Sequence, residues 1–165
     1  MNRVKMKLKE IRSHYPQSIF RNKAYELKTQ ENFVKISVDA LNILAEMSFN
    51  PLETKILFTL IKHLEMEDGI GNAIAEITTG KGRKQKTKSI YRQQLYEMVK
   101  SEKLKEDTFD KHVNNLEKKQ LICRIEDEDG KTMYFVNPFA FMVGTKTDAR
   151  AFALFYKSMF NIYQQ

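Results

Sequence analysis

The sequence has too little cysteine for a disulfide framework or a cysteine-based metal site. Cys123 is the single cysteine in 165 residues, whereas such frameworks and sites need several. We therefore expect Cys123 to pack as a small apolar side chain in a reducing compartment, which we take to be the cytoplasm. The sequence also shows no metal-ligand spacing, so we expect neither a metal ion nor another cofactor.

Long apolar runs are missing as well. No stretch approaches the roughly 20 apolar residues of a membrane span, so we expect no membrane partner. The first ten residues, MNRVKMKLKE, are charged throughout and lack the apolar segment of a signal peptide. The length predicts one domain, which can bury about two-thirds of its unfolded surface without covalent staples.

Patterns for nucleotide binding and catalysis are absent from the sequence. The glycines around residues 69–82 invite comparison with the phosphate loop G-x-x-x-x-G-K-[ST]. That loop needs glycine where Ala75 stands, and Ser or Thr after Lys81, where Gly82 stands. We find no nucleophile–base pair and no paired carboxylates either, so we expect that the protein is not an enzyme.

Positive charge is what the sequence does have. Lys and Arg number 28 against 21 Asp and Glu, which gives a net charge of +7 and a pI near 9.4 and favours nucleic acid as a partner. Residues 1–32 predict a basic arm, with a solvated tail as the alternative. A second group predicts a flexible loop that contacts phosphates, with an ordinary surface loop as the alternative. Its cations are Lys81, Arg83, Lys84, Lys86 and Lys88.

The segment 107–138 predicts one helix followed by a β-hairpin. Asp107 is expected to cap the helix Asp107–Lys119, whose buried face carries Phe109, Val113 and Leu116. The stretches LICRIE and TMYFVN lie on either side of Asp129-Gly130 and predict two strands joined by a tight turn. This order is typical of a winged helix-turn-helix, although an ordinary α+β packing unit shows it too.

The segments on both sides predict further elements. The stretch PLETKILFTLIKHLEM predicts the main core helix. The C-terminal helix is apolar over more than one face, so we expect it either to pack on two sides or to meet a second subunit. The predicted ranges are a short strand within 33–38, helices over 40–47, 51–66, 90–101 and 147–163, and a short strand over 73–77.

The face of the 107–119 helix opposite its buried residues is polar. Asn can pair with adenine and Lys can donate to guanine, so we predict that this helix lies in the major groove with those side chains on the bases. The acidic hairpin turn 126–129 is expected to stay away from DNA. The predicted DNA-binding residues are Thr108, Lys111, Asn114, Asn115 and Lys118 on the helix, with Arg92 and the five loop cations before it.

These stretches resemble the winged-helix replication initiators of small plasmids, the RepL-like family. The segment MVKSEKLKEDTFDKHVNNLEKKQLICR resembles the general helix-turn-helix pattern, with Lys103 and Gln120 where that pattern has glycine and Glu102 where it has leucine. The stretch YFVNPFAF resembles the family's narrower motif Y-x-x-N-P-x-x-F. The residues that match this motif are Tyr134, Asn137, Pro138 and Phe141.

The residue patterns and the resemblance together predict a fold that is mainly α with a small β-hairpin wing, a winged helix-turn-helix. We expect a basic arm over 1–32, a DNA-binding domain over 33–144 and a C-terminal apolar helix over 145–165 that offers a homodimer contact. The resemblance implies binding of double-stranded DNA at a plasmid origin and recruitment of host replication proteins. Two alternatives stay open: a transcriptional regulator, and a protein-interaction module without DNA binding.

Overall fold

The structure is a computed structural model that describes residues 33–67 and 69–162, together with residues 16, 18 and 21. The chain divides into Met1–Glu31 and Asn32–Gln165, and the fold below is that of the second unit. Apart from those three isolated positions, the predictions for the basic arm lie outside the described residues.

Groups of helices and groups of strands follow one another along the described part of the second unit. A short 3-10 turn, Gly82–Lys84, lies between β3 and β4. In chain order the elements are β1 Val34–Lys35, α1 Val38–Ala45, α2 Pro51–Ile61, β2 Leu64–Glu67, β3 Ile70–Thr79, β4 Lys86–Ser89, α3 Arg92–Val99, α4 Glu106–Lys118, β5 Ile122–Glu126, β6 Thr132–Val136, β7 Met142–Val143, β8 Lys146–Thr147 and α5 Ala149–Leu154.

Strand β3 is the centre of a six-stranded sheet. The main strand order is β2-β3-β6-β5, and β4 and β8 also pair with β3. The length of β3 makes this possible: its first residues pair with β2 and, in parallel, with β8, whereas its last four residues pair with β4. Ile74 lies opposite Phe135 of β6. Strands β1 and β7 form a separate two-stranded sheet.

Strand β6 is buried on both faces. Tyr134 and Val136 belong to the main core, whereas Phe135 between them packs with Ala151 and Phe155 from the C-terminal region. Successive side chains of a strand point to opposite faces, so side chains cover both sides of the sheet here. The main core also contains Ile56, Leu57 and Leu60 of α2, Leu95 and Val99 of α3, and Phe109, Val113 and Leu116 of α4.

The predicted fold class, a mainly α winged helix-turn-helix with a small hairpin wing, is wrong. The chain is mixed α/β, because β2, β3, β4 and β8 join the β5–β6 hairpin in one sheet. The predicted core helix 51–66 ends at Ile61, and its last residues form β2 instead. The strand predicted over 73–77 is the middle of the ten-residue β3.

The predicted buried face of α4 is confirmed. Phe109, Val113 and Leu116 are almost completely buried. The predicted cap is wrong, because the helix begins at Glu106 and Lys105 is the N-cap, without a capping side-chain hydrogen bond. Asp107 lies in the first turn, where its charge still favours the helix dipole.

The C-terminal helix is shorter than predicted. Helix α5 begins after Asp148, whose carboxylate accepts from the N–H groups of Arg150 and Ala151, and it ends at Leu154. Turns follow, and they bring Phe155 into the cluster around Phe135 and Phe160 into the main core. This region is therefore part of the fold's interior as well as its surface.

The motif YFVNPFAF forms a buried corner after β6. The Asn137 side chain is fully buried; its Nδ2 donates to the Gln120 carbonyl at 2.8 Å and to Ser158 Oγ at 3.1 Å, and its Oδ1 accepts from the Phe139 N–H at 2.9 Å. One side chain thus joins the end of α4, the corner and the C-terminal region. The residues that carry the family resemblance have a structural role here.

Asn137→Ala should lower the free energy of unfolding by about 2–4 kcal/mol. The change leaves the Phe139 N–H and the Gln120 carbonyl, both on half-buried residues, without this partner, and each unsatisfied buried group costs about 1–3 kcal/mol. Urea denaturation measures the loss. Asn42→Ala, at an exposed position of α1, is the matched control and should change stability by less than about 0.5 kcal/mol. Equal effects of the two substitutions would contradict the assigned role of Asn137.

Candidate nucleic-acid interface

The segment 81–88, predicted as a flexible loop, is largely a β-hairpin. Strands β3 and β4 pair over four residue pairs, from Glu76–Ser89 to Thr79–Lys86, and residues 80–85 form the tip. Gly80 has a φ of +87°, and a Cβ there would lie 2.5 Å from the Lys84 carbonyl oxygen. The tip conformation therefore requires glycine at this position.

Contacts on one side of the hairpin anchor it to the sheet. Thr78 Oγ1 donates to the carboxylate of Glu65 on β2, at 2.9 and 3.0 Å from its two oxygens. Thr87 Oγ1 lies 2.9 Å from Thr78 Oγ1 and can donate to it, because the Thr78 proton is already used. Ile77, on the other side of β3, packs against the main core. The base of the hairpin is thus fixed from both sides.

All five predicted loop cations lie on this hairpin and are exposed. None of them forms an ion pair with an acidic residue in the described part of the chain, where the observed ion pairs involve other cations. Lys86 and Lys88 lie opposite Thr79 and Ile77 and so share one side of the ribbon. The hairpin therefore concentrates five positive charges, and no ion pair among the described residues involves them.

An open groove lies next to this cationic side. Its volume is about 600 Å³, and it runs between the end of β4, the start of α3 and the start of β6. No acidic residue is among the described residues that line it. Its polar lining includes Lys88, Arg92, Gln93, Gln94, Lys131 and Thr132. Cations and amides of this kind can contact phosphates or base edges.

The residues predicted on α4 do not form a single exposed face. Lys111 and Lys118 are exposed on the side opposite the buried residues, and Thr108 is exposed beside them. Asn114 is exposed, but its side-chain oxygen accepts from the Arg124 guanidinium. The structure therefore leaves three of the five helix residues available for contact without breaking an existing side-chain bond.

Asn115 was predicted to face DNA, and this placement is wrong. Its side chain is half-buried and donates at 3.0 Å to Glu53 of α2. Glu53 is itself buried, and it also accepts from Lys119, from the Asn50 N–H and from His112 at 3.1 Å. His112 and Asn115 of α4 and its C-cap residue Lys119 thus face α2 around one buried carboxylate. The helical wheel alone did not reveal this cluster.

The surroundings of Glu53 stabilise its charged form. Burial disfavours the carboxylate, but the hydrogen bonds from Lys119, Asn115, His112 and the Asn50 N–H outweigh burial and lower its pKa from 4.5 to about 2. Glu53 also completes a capping box with Asn50 at the start of α2. We assign the cluster to stability, because the buried Glu53 carboxylate accepts from His112, Asn115 and Lys119 and so joins α2 to α4 and its C-cap.

Arg92 is also occupied. Its guanidinium donates to Asp110 at 2.8 and 3.0 Å and to Glu106 at 3.1 Å, which joins the starts of α3 and α4. These bonds hold its pKa above the ordinary value; the Asp110 bond is the largest cause. A phosphate at Arg92 would have to compete with two carboxylates.

The turn between β5 and β6 is acidic, as the sequence indicates. Asp127 accepts from the Tyr91 hydroxyl at 2.7 Å and from the Asp129 and Lys131 N–H groups. These hydrogen bonds, led by that from Tyr91, lower its pKa. Glu126, Glu128 and Asp129 are exposed. Asp127 therefore shapes the turn, and the other three acids face solvent.

The described residues contain no cluster of three or more His, Cys, Asp or Glu arranged to hold a metal ion. Among the described helices, none has the length and apolar character needed to cross a membrane. Comparison of the chain with family models, curated proteins and solved structures finds no match.

Proposed function

We propose that this protein binds double-stranded DNA through an interface centred on the β3–β4 hairpin. The observation that carries the proposal is the hairpin's five exposed cations, none of them neutralised by an acid of the described chain. Duplex DNA presents one negative charge per about 1.7 Å of helix axis, and binding releases condensed counterions. The net charge of +7 supports the same partner.

We further propose that the DNA is a plasmid replication origin and that the protein recruits host replication proteins in the cytoplasm. This step is supported by the sequence resemblance to RepL-like initiators, carried by YFVNPFAF. Those residues form the buried corner around Asn137. The resemblance therefore lies in a segment that has a structural role in this protein. A transcriptional regulator is the alternative, because both would bind short repeated DNA sites.

A replication assay separates these two functions. DNA from the vicinity of the gene is cloned into a plasmid that lacks its own origin. The protein is expressed in the same cells from a second, compatible plasmid. Maintenance that depends on the protein supports the initiator. Specific binding to that DNA with repression of a neighbouring promoter, and no plasmid maintenance, supports the regulator.

Binding of a duplex should be strongly salt-dependent. If roughly six phosphates are neutralised, log K falls with log[salt] at a slope of about −5, so affinity drops about 10³-fold between about 50 and 200 mM salt. Fluorescence anisotropy with a labelled duplex measures the slope. Lys146→Gln, an exposed cation on β8, is the control and should leave the slope unchanged. A slope near zero contradicts electrostatic DNA binding.

The second candidate function is a protein-interaction module without DNA binding. The exposed acids Glu126, Glu128 and Asp129 favour it, because they would repel a phosphate backbone and suit a basic protein surface. Gel shifts on random and genomic duplexes at low and at physiological salt separate the candidates. Failure to bind any duplex at low salt would make the interaction module the better account.

A further inference from the structure

We propose that the β3–β4 hairpin, and not α4, is the element that enters the major groove of the DNA. The inference rests on the proposed duplex binding and specifies which part of the chain meets the bases. It departs from the arrangement that the sequence predicts, in which the 107–119 helix is the reader.

The hairpin has the dimensions of a groove-binding ribbon. Two paired strands lie about 4.8 Å apart. With their side chains added, they suit the major groove, which is about 12 Å wide and admits a two-stranded β-ribbon, better than the minor groove of about 6 Å. Beyond the anchored Thr78 and Thr87, the ribbon continues through the Thr79–Lys86 pair into the six-residue tip 80–85. This free end is the part that would enter the major groove, which is about 8.5 Å deep. The tip, GKGRKQ, also lacks the apolar wedge that minor-groove benders insert between bases.

Charge is sorted between the two sides of the ribbon. Lys86 and Lys88 share one side, and the tip adds Lys81, Arg83 and Lys84. The other side carries Thr78, which is bonded to the Glu65 carboxylate. A ribbon with this arrangement favours one orientation on the duplex, with Glu65 turned away from the phosphates.

The open groove of the protein, beside the cationic side of the hairpin, provides a place for the adjacent DNA strand. A ribbon inside the major groove of DNA has a phosphate backbone along its flank. On the protein, Lys88, Lys131, Gln93 and Gln94 line the open groove beside the ribbon. The nearby Asp127 carboxylate is held by the Tyr91 hydroxyl. Lys88 and Lys131 thus extend the positive charge of the hairpin to this protein groove, with the charged Asp127 carboxylate beside it.

Helix α4 lacks the hairpin's excess of positive charge, although Glu106 and Asp110 are paired with Arg92, and Glu117 with Arg124. Its sequence, EDTFDKHVNNLEK, holds four acidic residues and two lysines. The N-terminal residues of a recognition helix usually meet the bases, but Glu106 and Asp107 are exposed there and would approach the phosphates. Asn115, its best candidate for reading adenine, is bonded to Glu53.

Two triple variants with equal charge loss test the assignment. The pure protein first selects its best site from random duplexes, and binding of that site is then measured. The hairpin triple is Lys81→Gln, Arg83→Gln and Lys84→Gln. The helix triple is Lys111→Gln and Lys118→Gln on α4 together with Lys103→Gln in the turn before it. All six side chains are exposed, so both variants should melt as the parent does. We expect the hairpin triple to lose about 100-fold in affinity and the helix triple less than about 5-fold.

The outcomes distinguish this inference from the proposed function. If the parent protein selects no duplex, the proposed function fails and the hairpin assignment fails with it. If the parent binds but the helix triple loses as much affinity as the hairpin triple, or more, only the hairpin assignment is overturned.

Altered bases in the selected site give a second test that needs no folded triple variant. Replacing guanine by 7-deazaguanine removes the N7 acceptor from the major groove, whereas inosine removes the amino group from the minor groove. We expect the first change to weaken binding about 10-fold and the second less than about 2-fold. The 7-deazaguanine loss should disappear in Arg83→Gln and persist in Lys111→Gln. The reverse pattern in either comparison would overturn the assignment.

Discussion

Glu53→Ala should lower the free energy of unfolding by about 3–5 kcal/mol, the usual cost of removing one partner from a buried ion pair. The substitution leaves the half-buried Lys119 ammonium, Asn115 and His112 without their common acceptor. It also removes the capping box of α2. Urea denaturation at neutral pH measures the loss.

The pH dependence of stability gives a second measure of Glu53. Its folded-state pKa of about 2 lies below the ordinary 4.5, so the charged carboxylate contributes stability that is fully present above about pH 4.5. That contribution, about 3 kcal/mol, is lost as the pH falls through about 2. The stability difference between the parent and Glu53→Gln should therefore shrink in acid.

A surface ion pair provides the control for the Glu53 substitution. Glu97→Ala breaks the pair between Glu97 and Lys100, in which both side chains are about half exposed, and should cost less than about 1 kcal/mol. The assigned role of Glu53 is contradicted if the two substitutions cost the same, or if the difference between the parent and Glu53→Gln does not change with pH.

Removal of the chain from Ala149 onward should prevent cooperative folding. The deletion takes Ala151, Phe155 and Phe160 out of the two core clusters. Loss of each buried phenylalanine costs about 3–5 kcal/mol, so the sum approaches the typical total stability of about 5–15 kcal/mol. Thermal unfolding followed by near-ultraviolet circular dichroism should show no sharp transition for the deletion protein.

Leu154→Glu is the matched control for the deletion. Leu154 is 42% exposed on α5, so this substitution should leave cooperative unfolding intact. A deletion protein that unfolds as sharply as the parent would contradict the structural role of this region. Self-association through α5 stays a prediction, and sedimentation of Leu154→Glu beside the parent tests it without disturbing the core.

Local sequence patterns predicted the local structure well. The i, i+4, i+7 spacing of Phe109, Val113 and Leu116 was enough to find the buried face of α4, and Asp129-Gly130 was enough to place the turn between β5 and β6. Both signals lie within a few residues of the structure they specify. The fold class was missed for two reasons. The strands β2 and β4 lie in segments whose patterns predicted the end of a helix and a loop, and β3 pairs with β6 and β8, which are distant in the chain and which no periodicity within one segment encodes.

The site residues show the same division. All five cations of the 81–88 segment are exposed as predicted, because a run of cations without apolar residues cannot be buried. The predicted exposure of Asn115 was wrong, because a helical wheel shows only that a side chain lies off the apolar stripe. Its partner Glu53 lies 62 residues earlier. An acidic residue three positions after Asn50 was the available signal, as a capping box at the start of α2.

Gln120 is a case in which the fold tolerates an unfavourable residue. The helix-turn-helix pattern has glycine there, and Gln120 adopts the positive φ of 60° that glycine would adopt more easily. Its side-chain Oε1 accepts from the Met159 N–H at 2.7 Å, and its carbonyl accepts from Asn137. These contacts tie the strained position to the C-terminal region and offset its cost.

The tip of the β3–β4 hairpin contributes no buried side chain, and this has an evolutionary consequence. Substitutions at positions 81 and 83–85 do not alter the packing of either core cluster, whereas Gly82, with a φ of +57°, is constrained by its backbone. Under the proposed DNA binding, selection for the partner acts directly on these exposed positions. A few substitutions in the tip would then change the target, while Glu53, Asn137 and the sheet remain as they are.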